Sequence, residues 1–217
     1  MTAEQRHRHN LIPGEGHAHG FTRRLIYIPI VHTPEDMGAL QESVARATLE
    51  KMGRAGLSRK MAAVDKMWAD IARLIDSLAL SFDRVRLYQD GLPVCGREAK
   101  IVLEMARAGS RNHQLLRRLM DQGASLMGTE SGDLLIQEYE AAKESLGGRS
   151  PRAAAVAEQR RAWSADLLKR RDQFIAARIN DTLKPGETGI LFLGMLHALE
   201  GYLHPDIQVI YPFRRPR

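Results

Sequence analysis

Residues 189–203 read GILFLGMLHALEGYL, and residues 25–38 read LIYIPIVHTPEDMG. Each segment begins with a short apolar run and then reaches a histidine, His197 in the first and His32 in the second. Short runs rich in leucine and isoleucine are typical of strands that are buried on both faces of a parallel sheet. We therefore predict buried strands at 25–31 and 190–194, and Pro29 indicates an end or edge position within the first.

Helical and strand-like patterns alternate along the remainder of the chain. Apolar spacing, capping residues and glycine breaks predict further strands at 84–90, 124–128 and 207–213. The same signals predict helices at 34–52, 58–79, 97–107, 111–121, 132–146 and 151–183, with a short helix between the last two strands. Long helical connections favour parallel neighbours. The predicted fold class is α/β, a mainly parallel sheet of about four to five strands flanked by helices, with 35–79 and 151–183 as a helical elaboration.

The 217 residues suffice for one sizeable domain. We predict a flexible, basic, histidine-rich arm at 1–22, a single α/β domain at 23–213 and a basic tail at 214–217. The formal charge of +6 lies largely at the two ends, and elsewhere the basic residues are interleaved with acidic ones. Such interleaving is typical of a solvated surface, and no nucleic-acid-binding motif is present, so no specific nucleic-acid partner is expected.

The composition indicates a cytoplasmic protein without a membrane span. No apolar stretch approaches the roughly 18 residues that a span requires, and the first residues have no apolar core of a secretory signal. The single cysteine, Cys95, cannot form an intrachain disulfide. Cys95 precedes a predicted helix, where it is either a nucleophile or inert packing. The histidines of the arm either chelate metal weakly or have no specific role.

Polar side chains follow four of the predicted strands. Since ligands of open α/β sheets bind outside the carboxyl ends of the strands, we expect these side chains to share a pocket. In chain order the strand ends carry His32 with Asp36, Gln89 with Asp90, Thr129 with Glu130, and His197 with Glu200.

Imidazoles together with carboxylates suit a divalent transition metal such as Mn, Co, Zn or Fe. We predict His32, His197 and Glu130 as ligands, and Asp90 as the second-choice carboxylate. Each residue also has a structural interpretation: the histidines could begin helices, Asp90 could serve the turn at Gly91, and Glu130 could favour the next helix dipole.

Residues 170–201 resemble the C-terminal signature of the TraB/Tiki proteins, which are related to the ChaN-like and erythromycin-esterase-like group. In that signature a helix with an arginine–acid pair and small residues precedes an apolar strand that ends in Gly-x-x-His. The positions that match in order are Arg171, Asp172, Ala176, Ile179, Gly194 and His197. The resemblance implies an N-terminal motif as well, where Pro29 stands in place of the glycine before His32, and an acidic site supplied by Asp90 or Glu130. Activities within the group span metal-dependent peptidase, esterase and haem binding, so the resemblance implies a pocket and no particular substrate.

The function that these features predict is a metal-dependent hydrolase of peptide- or ester-type bonds, acting on a small-molecule or peptide substrate. In this interpretation Glu130 or Asp90 accepts the proton of the attacking water, and Arg171 orients the carboxylates or the substrate. Two alternatives remain open. One is a non-catalytic module that binds a small ligand or haem for signalling, and the other is a scaffold whose long helices form a homo-oligomer.

Overall fold

The computed structural model describes residues 22–31, 33, 40–146 and 154–213. Five strands are present in this part of the chain: β1 (Arg23–Ile30), β2 (Val85–Gln89), β3 (Ser125–Met127), β4 (Thr188–Gly194) and β5 (Ile207–Ile210). The helices are α1 (Gln41–Ser77), α2 (Glu98–Arg107), α3 (Arg111–Asp121), α4 (Gly132–Leu146) and α5 (Ala154–Thr182), and a short 3-10 helix spans Phe82–Arg84. The predicted arm at 1–22 and tail at 214–217 lie almost wholly outside the described residues.

The five strands form one all-parallel sheet in the order β3-β2-β4-β1-β5. The predicted α/β fold class is therefore confirmed. β1 pairs with β4 from Arg24 to Ile30 but with β5 only from Arg23 to Ile26. Pro29 thus lies beyond the segment that pairs with β5, which explains how a proline is accommodated in a strand with two neighbours.

Alternate residues of the strands supply two separate apolar cores. One face, which includes Ile28, Leu87 and Phe192, packs against α1, α2 and α3. α1 contributes Val64, Trp68, Ile71 and Ile75, whose three- and four-residue spacing forms a single apolar stripe. The opposite face, which includes Tyr27, Tyr88 and Leu191, packs against Ile175, Ile179 and Leu183 at the end of α5. The two layers bury most of β1, β2 and β4, as their continuous apolar runs require, whereas the edge strands β3 and β5 are partly exposed.

One predicted helix start and one predicted short helix are wrong. Gly53 interrupts α1 with a left-handed φ of 65°, as the predicted stop at that glycine required, but helical residues resume directly after it and not at Ser58. The predicted short helix between β4 and β5 is absent, since residues 195–206 form turns. There the His197 amide donates to the Gly194 carbonyl, and the Tyr202 and Leu203 amides both donate to the Leu199 carbonyl, so separate turns stand in place of a continuous helix.

The described helices include none with both the length and the apolar character that a membrane span requires.

Arg23 connects the first strand to the end of the chain. Its guanidinium donates to the carbonyl oxygens of Asn180 at 2.7 Å and Leu183 at 3.1 Å, which are unpaired acceptors at the end of α5. It also binds both carboxylate oxygens of Asp206, at 2.8 Å and 2.6 Å, just before β5. This interaction holds the pKa of the Asp206 carboxyl well below its usual range. The first strand, the last long helix and the segment before the last strand are therefore held together by one buried cation.

We expect Arg23→Leu to destabilise the protein by about 2–4 kcal/mol from the two lost carbonyl hydrogen bonds alone. The neighbouring Arg24 is exposed, so Arg24→Leu is a matched control that should leave the free energy of unfolding nearly unchanged. Urea unfolding of both variants measures the difference. Equal stabilities would show that the contacts of Arg23 contribute nothing to the fold.

Candidate active site

Arg171 occupies the centre of a buried ionic cluster at the carboxyl edge of the sheet. Its side chain is 5% exposed and lies on α5. Nε and Nη2 donate to the two carboxylate oxygens of Glu130, at 2.7 Å and 2.6 Å, in a bidentate pair. Nη2 also donates to Asp90 Oδ1 at 2.9 Å, and Nη1 donates to Glu138 of α4. One guanidinium therefore joins carboxylates that follow β2, follow β3 and lie on α4.

The turn after β2 places Asp90. The Asp90 amide donates to the Phe192 carbonyl of β4, and the Leu92 amide closes a tight turn onto Gln89. Gly91 has a φ of 74°, which an L side chain rarely adopts, and its amide donates to Glu130 Oε1 at 2.8 Å. Asp90 Oδ2 accepts a 2.8 Å hydrogen bond from the Gly194 amide at the end of β4. The backbone role predicted for Asp90 thus coexists with a side chain directed into the site.

Glu130 is completely buried and is held by backbone as well as by Arg171. Its amide donates to the Leu92 carbonyl, and its carbonyl accepts from the Val94 amide, so the segments that follow β2 and β3 are paired. Burial raises the pKa of Glu130 above its ordinary value, Arg171 opposes that increase, and the negative charge of Asp90 adds to it. Both carboxylate oxygens already accept hydrogen bonds, from Arg171 and from Gly91.

His197 is oriented by a carboxylate on α5. Its Nδ1 lies 2.5 Å from Asp172 Oδ1, and Asp172 Oδ2 accepts from the Ala198 amide at 3.1 Å. A carboxylate at Nδ1 favours the tautomer that carries its proton there, which leaves Nε2 as a lone pair. Nε2 faces Asp90, with 3.7 Å between Nε2 and Oδ2. His197 is 5% exposed, so this imidazole lies inside the cluster and not on its rim.

The cluster is rich in negative charge. Three carboxylates contact Arg171, and a fourth, Asp172, contacts His197. Burial alone disfavours the charged guanidinium, but the hydrogen bonds and charges of Glu130, Glu138 and Asp90 outweigh it and raise the pKa of Arg171 above its ordinary value. Arg171 is therefore permanently charged, and the described carboxylates exceed the cation they share. Such a site favours a further positive charge or a proton.

The structure brings together four of the five predicted site residues: Asp90, Glu130, Arg171 and His197. The fifth, His32, and its neighbour Asp36 lie outside the described residues. The other candidates lie elsewhere: Glu200 accepts from the Tyr211 hydroxyl on the surface, and Cys95 is an exposed free thiol. Thr129 is buried and has a structural contact, since its hydroxyl oxygen accepts from the Gln89 amide.

Two members of the site were not predicted as such. Asp172 was named in the sequence only through the family resemblance. In the structure Arg171 and Asp172 are adjacent and both buried, which is unusual for charged residues of one helix. Glu138 carries no signal in the sequence, because its contact depends on how α4 packs against α5. Within the described residues, no group of three or more His, Cys, Asp or Glu side chains is arranged to hold a metal ion.

The chain matches no protein-family model, no curated protein and no solved structure.

We expect Arg171→Met to destabilise the protein by about 3–5 kcal/mol at neutral pH, because it leaves buried carboxylates without their cation. Without Arg171 the pKa of Glu130 rises further in the folded state. The ionisation of Glu130 therefore destabilises the folded variant increasingly as the pH rises above the pKa of a glutamate in the unfolded chain, about 4.3. The variant recovers stability as the pH falls. Unfolding by urea at several pH values measures this difference.

The matched control is Lys169→Met, which changes an exposed cation on the same helix. If the two variants had equal stability at every pH, the cluster would not depend on the charge of Arg171.

Proposed function

We propose that the protein is a metal-dependent hydrolase of peptide- or ester-type bonds, with its site at the carboxyl ends of β2, β3 and β4. The observation that carries the proposal is His197, whose Nδ1 is held by Asp172 while Nε2 faces a buried carboxylate. An aspartate at one imidazole nitrogen is the arrangement that orients a metal-binding histidine. The resemblance of residues 170–201 to the TraB/Tiki proteins points the same way, and membership of that group is part of the proposal.

The two atoms that could share a metal are His197 Nε2 and Asp90 Oδ2, and Oδ2 also accepts the hydrogen bond from the Gly194 amide. Ligands bound at about 2.0–2.2 Å in a tetrahedron lie roughly 3.4 Å from one another. The separation of 3.7 Å between these two atoms is close to that value. Imidazole and carboxylate together suit Zn, Mn, Co or Fe. We propose this pair as ligands, with His32 as the predicted further ligand.

Glu130 fits the role of ligand or base less well than Asp90. Arg171 binds both oxygens of Glu130, so a metal ion would compete with a bidentate guanidinium there, whereas Arg171 binds Asp90 through Oδ1. We therefore assign Glu130 a positioning role, in which it holds Arg171 and thereby Asp90. Lewis acidity towards a carbonyl is the chemistry that a bound divalent ion supplies. Asp172 sets the tautomer of His197, and Arg171 keeps Asp90 Oδ1 fixed so that Oδ2 faces the imidazole.

The proposal predicts that His197→Ala binds one metal ion per chain fewer than the unmodified protein and has no hydrolytic activity. His204→Ala is the matched control, because His204 is exposed and its contacts are with Arg23 and Asn180, outside the cluster. Metal content is measured by mass spectrometry on the full chain, where the arm histidines contribute equally to both variants. Equal metal in the two variants would contradict the proposed site, and metal loss without hydrolysis of any peptide or ester would contradict the activity.

We also expect Asp172→Asn to weaken metal affinity about 10–100-fold, because the amide no longer favours the required imidazole tautomer. Asp166→Asn changes an exposed carboxyl on the same helix and should leave the affinity unchanged. Metal titration of both variants, with circular dichroism as the check on folding, gives the comparison. An affinity unaltered by Asp172→Asn would show that the Asp172 carboxylate does not orient His197 for metal binding.

A further inference from the structure

An apolar cavity of about 390 Å³ opens where β1 and β4 end. Among the described residues its lining includes Pro29, Val31, Met67, Ile71, Met195 and Phe213. The volume lies within the range of small-molecule sites in proteins, about 300–1,000 Å³. Pro29 and Val31 come from the end of β1, Met67 and Ile71 from α1, and Phe213 from the segment after β5. None of these residues belongs to the ionic cluster around Arg171.

One tight turn connects the cavity to the candidate active site. The His197 amide donates to the Gly194 carbonyl at 3.2 Å, so Met195 and Leu196 are the central residues of that turn. Met195 lines the cavity and is 49% exposed, whereas His197 at the end of the turn is buried beside Asp90. Leu196 is 83% exposed, although it is large and apolar. The turn thus carries a residue that lines the cavity two positions before the oriented imidazole.

We infer that this cavity binds the aliphatic chain of the substrate, so that an acyl compound lies with its chain against Met67 and Met195 and its carbonyl towards His197. The inference rests on the proposed function and adds the substrate class, a medium-length aliphatic acyl ester or amide. The lining is mainly aliphatic and thioether, and methionine side chains adapt to flexible chains. The charged residues at the cavity, Lys66 and Asp70, pair with each other at 2.9 Å, so no free charge opposes an apolar occupant there.

The binding test uses octanoate, with acetate as the short-chain control, titrated calorimetrically into the full-length protein. Each methylene that enters the cavity should tighten binding about fourfold, so octanoate should bind far more tightly than acetate. Ala63→Trp fills the cavity from an exposed position of α1 and should weaken octanoate binding at least tenfold. Ala62→Trp places the same ring at the adjacent exposed residue outside the cavity lining and should bind octanoate as the unmodified chain does.

Binding to His197→Ala separates this inference from the proposed activity, since that variant lacks the imidazole but retains the cavity. Octanoate bound equally by His197→Ala, with no metal or hydrolysis in the unmodified protein, would uphold the cavity and overturn the proposed function. Conversely, the protein could hydrolyse 4-nitrophenyl acetate and 4-nitrophenyl octanoate equally fast while binding no free octanoate. That result would overturn the inferred role of the cavity and uphold the proposed function. Octanoate bound equally by Ala63→Trp and Ala62→Trp would also overturn the inference.

Discussion

The bidentate pair between Arg171 and Glu130 is the interaction on which the carboxyl edge of the sheet depends. A fully buried carboxylate is costly unless a cation and further hydrogen bonds satisfy it. Arg171 supplies the cation, and the same guanidinium reaches Asp90 and Glu138. The turn after β2, the segment after β3 and helix α4 are therefore fixed relative to α5 by one side chain. The position of His197 follows, because Asp172 is the next residue on that helix.

One helix, α5, determines both the charge balance of the cluster and the tautomer of His197. Arg171 and Asp172 are adjacent on α5 and diverge around the helix, so one reaches the carboxylates while the other reaches the imidazole. A rigid helix is a more precise support for such groups than a loop. The two halves meet at Asp90, whose Oδ1 contacts Arg171 and whose Oδ2 faces His197. A displacement of α5 along its axis would disturb both contacts at once.

Much of the fold could be predicted, because strands buried on both faces are continuous apolar runs. The runs at 25–31 and 190–194 correspond to β1 and β4, two adjacent interior strands of the sheet, and helices at 97–107 and 111–121 are found within a residue of their predicted bounds. The segment after β4 could not be assigned correctly, since an apolar stretch such as MLHAL has no period long enough to separate a helix from tight turns. The site could be predicted as far as the strand-end rule reaches, which is Asp90, Glu130 and His197. Glu138 could not be predicted by that rule, because its contact with Arg171 depends on how α4 packs against α5, and neither helix sequence indicates that packing.

The order of strands across the sheet has a consequence for how the protein is made. β1 is synthesised before the other four described strands, yet both of its neighbours, β4 and β5, lie after residue 187. Its backbone hydrogen-bonding groups therefore leave the ribosome without strand partners and stay unpaired while more than 150 residues are added. Contacts so distant along the chain slow folding, and an unpaired apolar strand is prone to association with other chains. Shielding of the 25–30 segment during synthesis thus becomes as important for this protein as the stability it finally reaches.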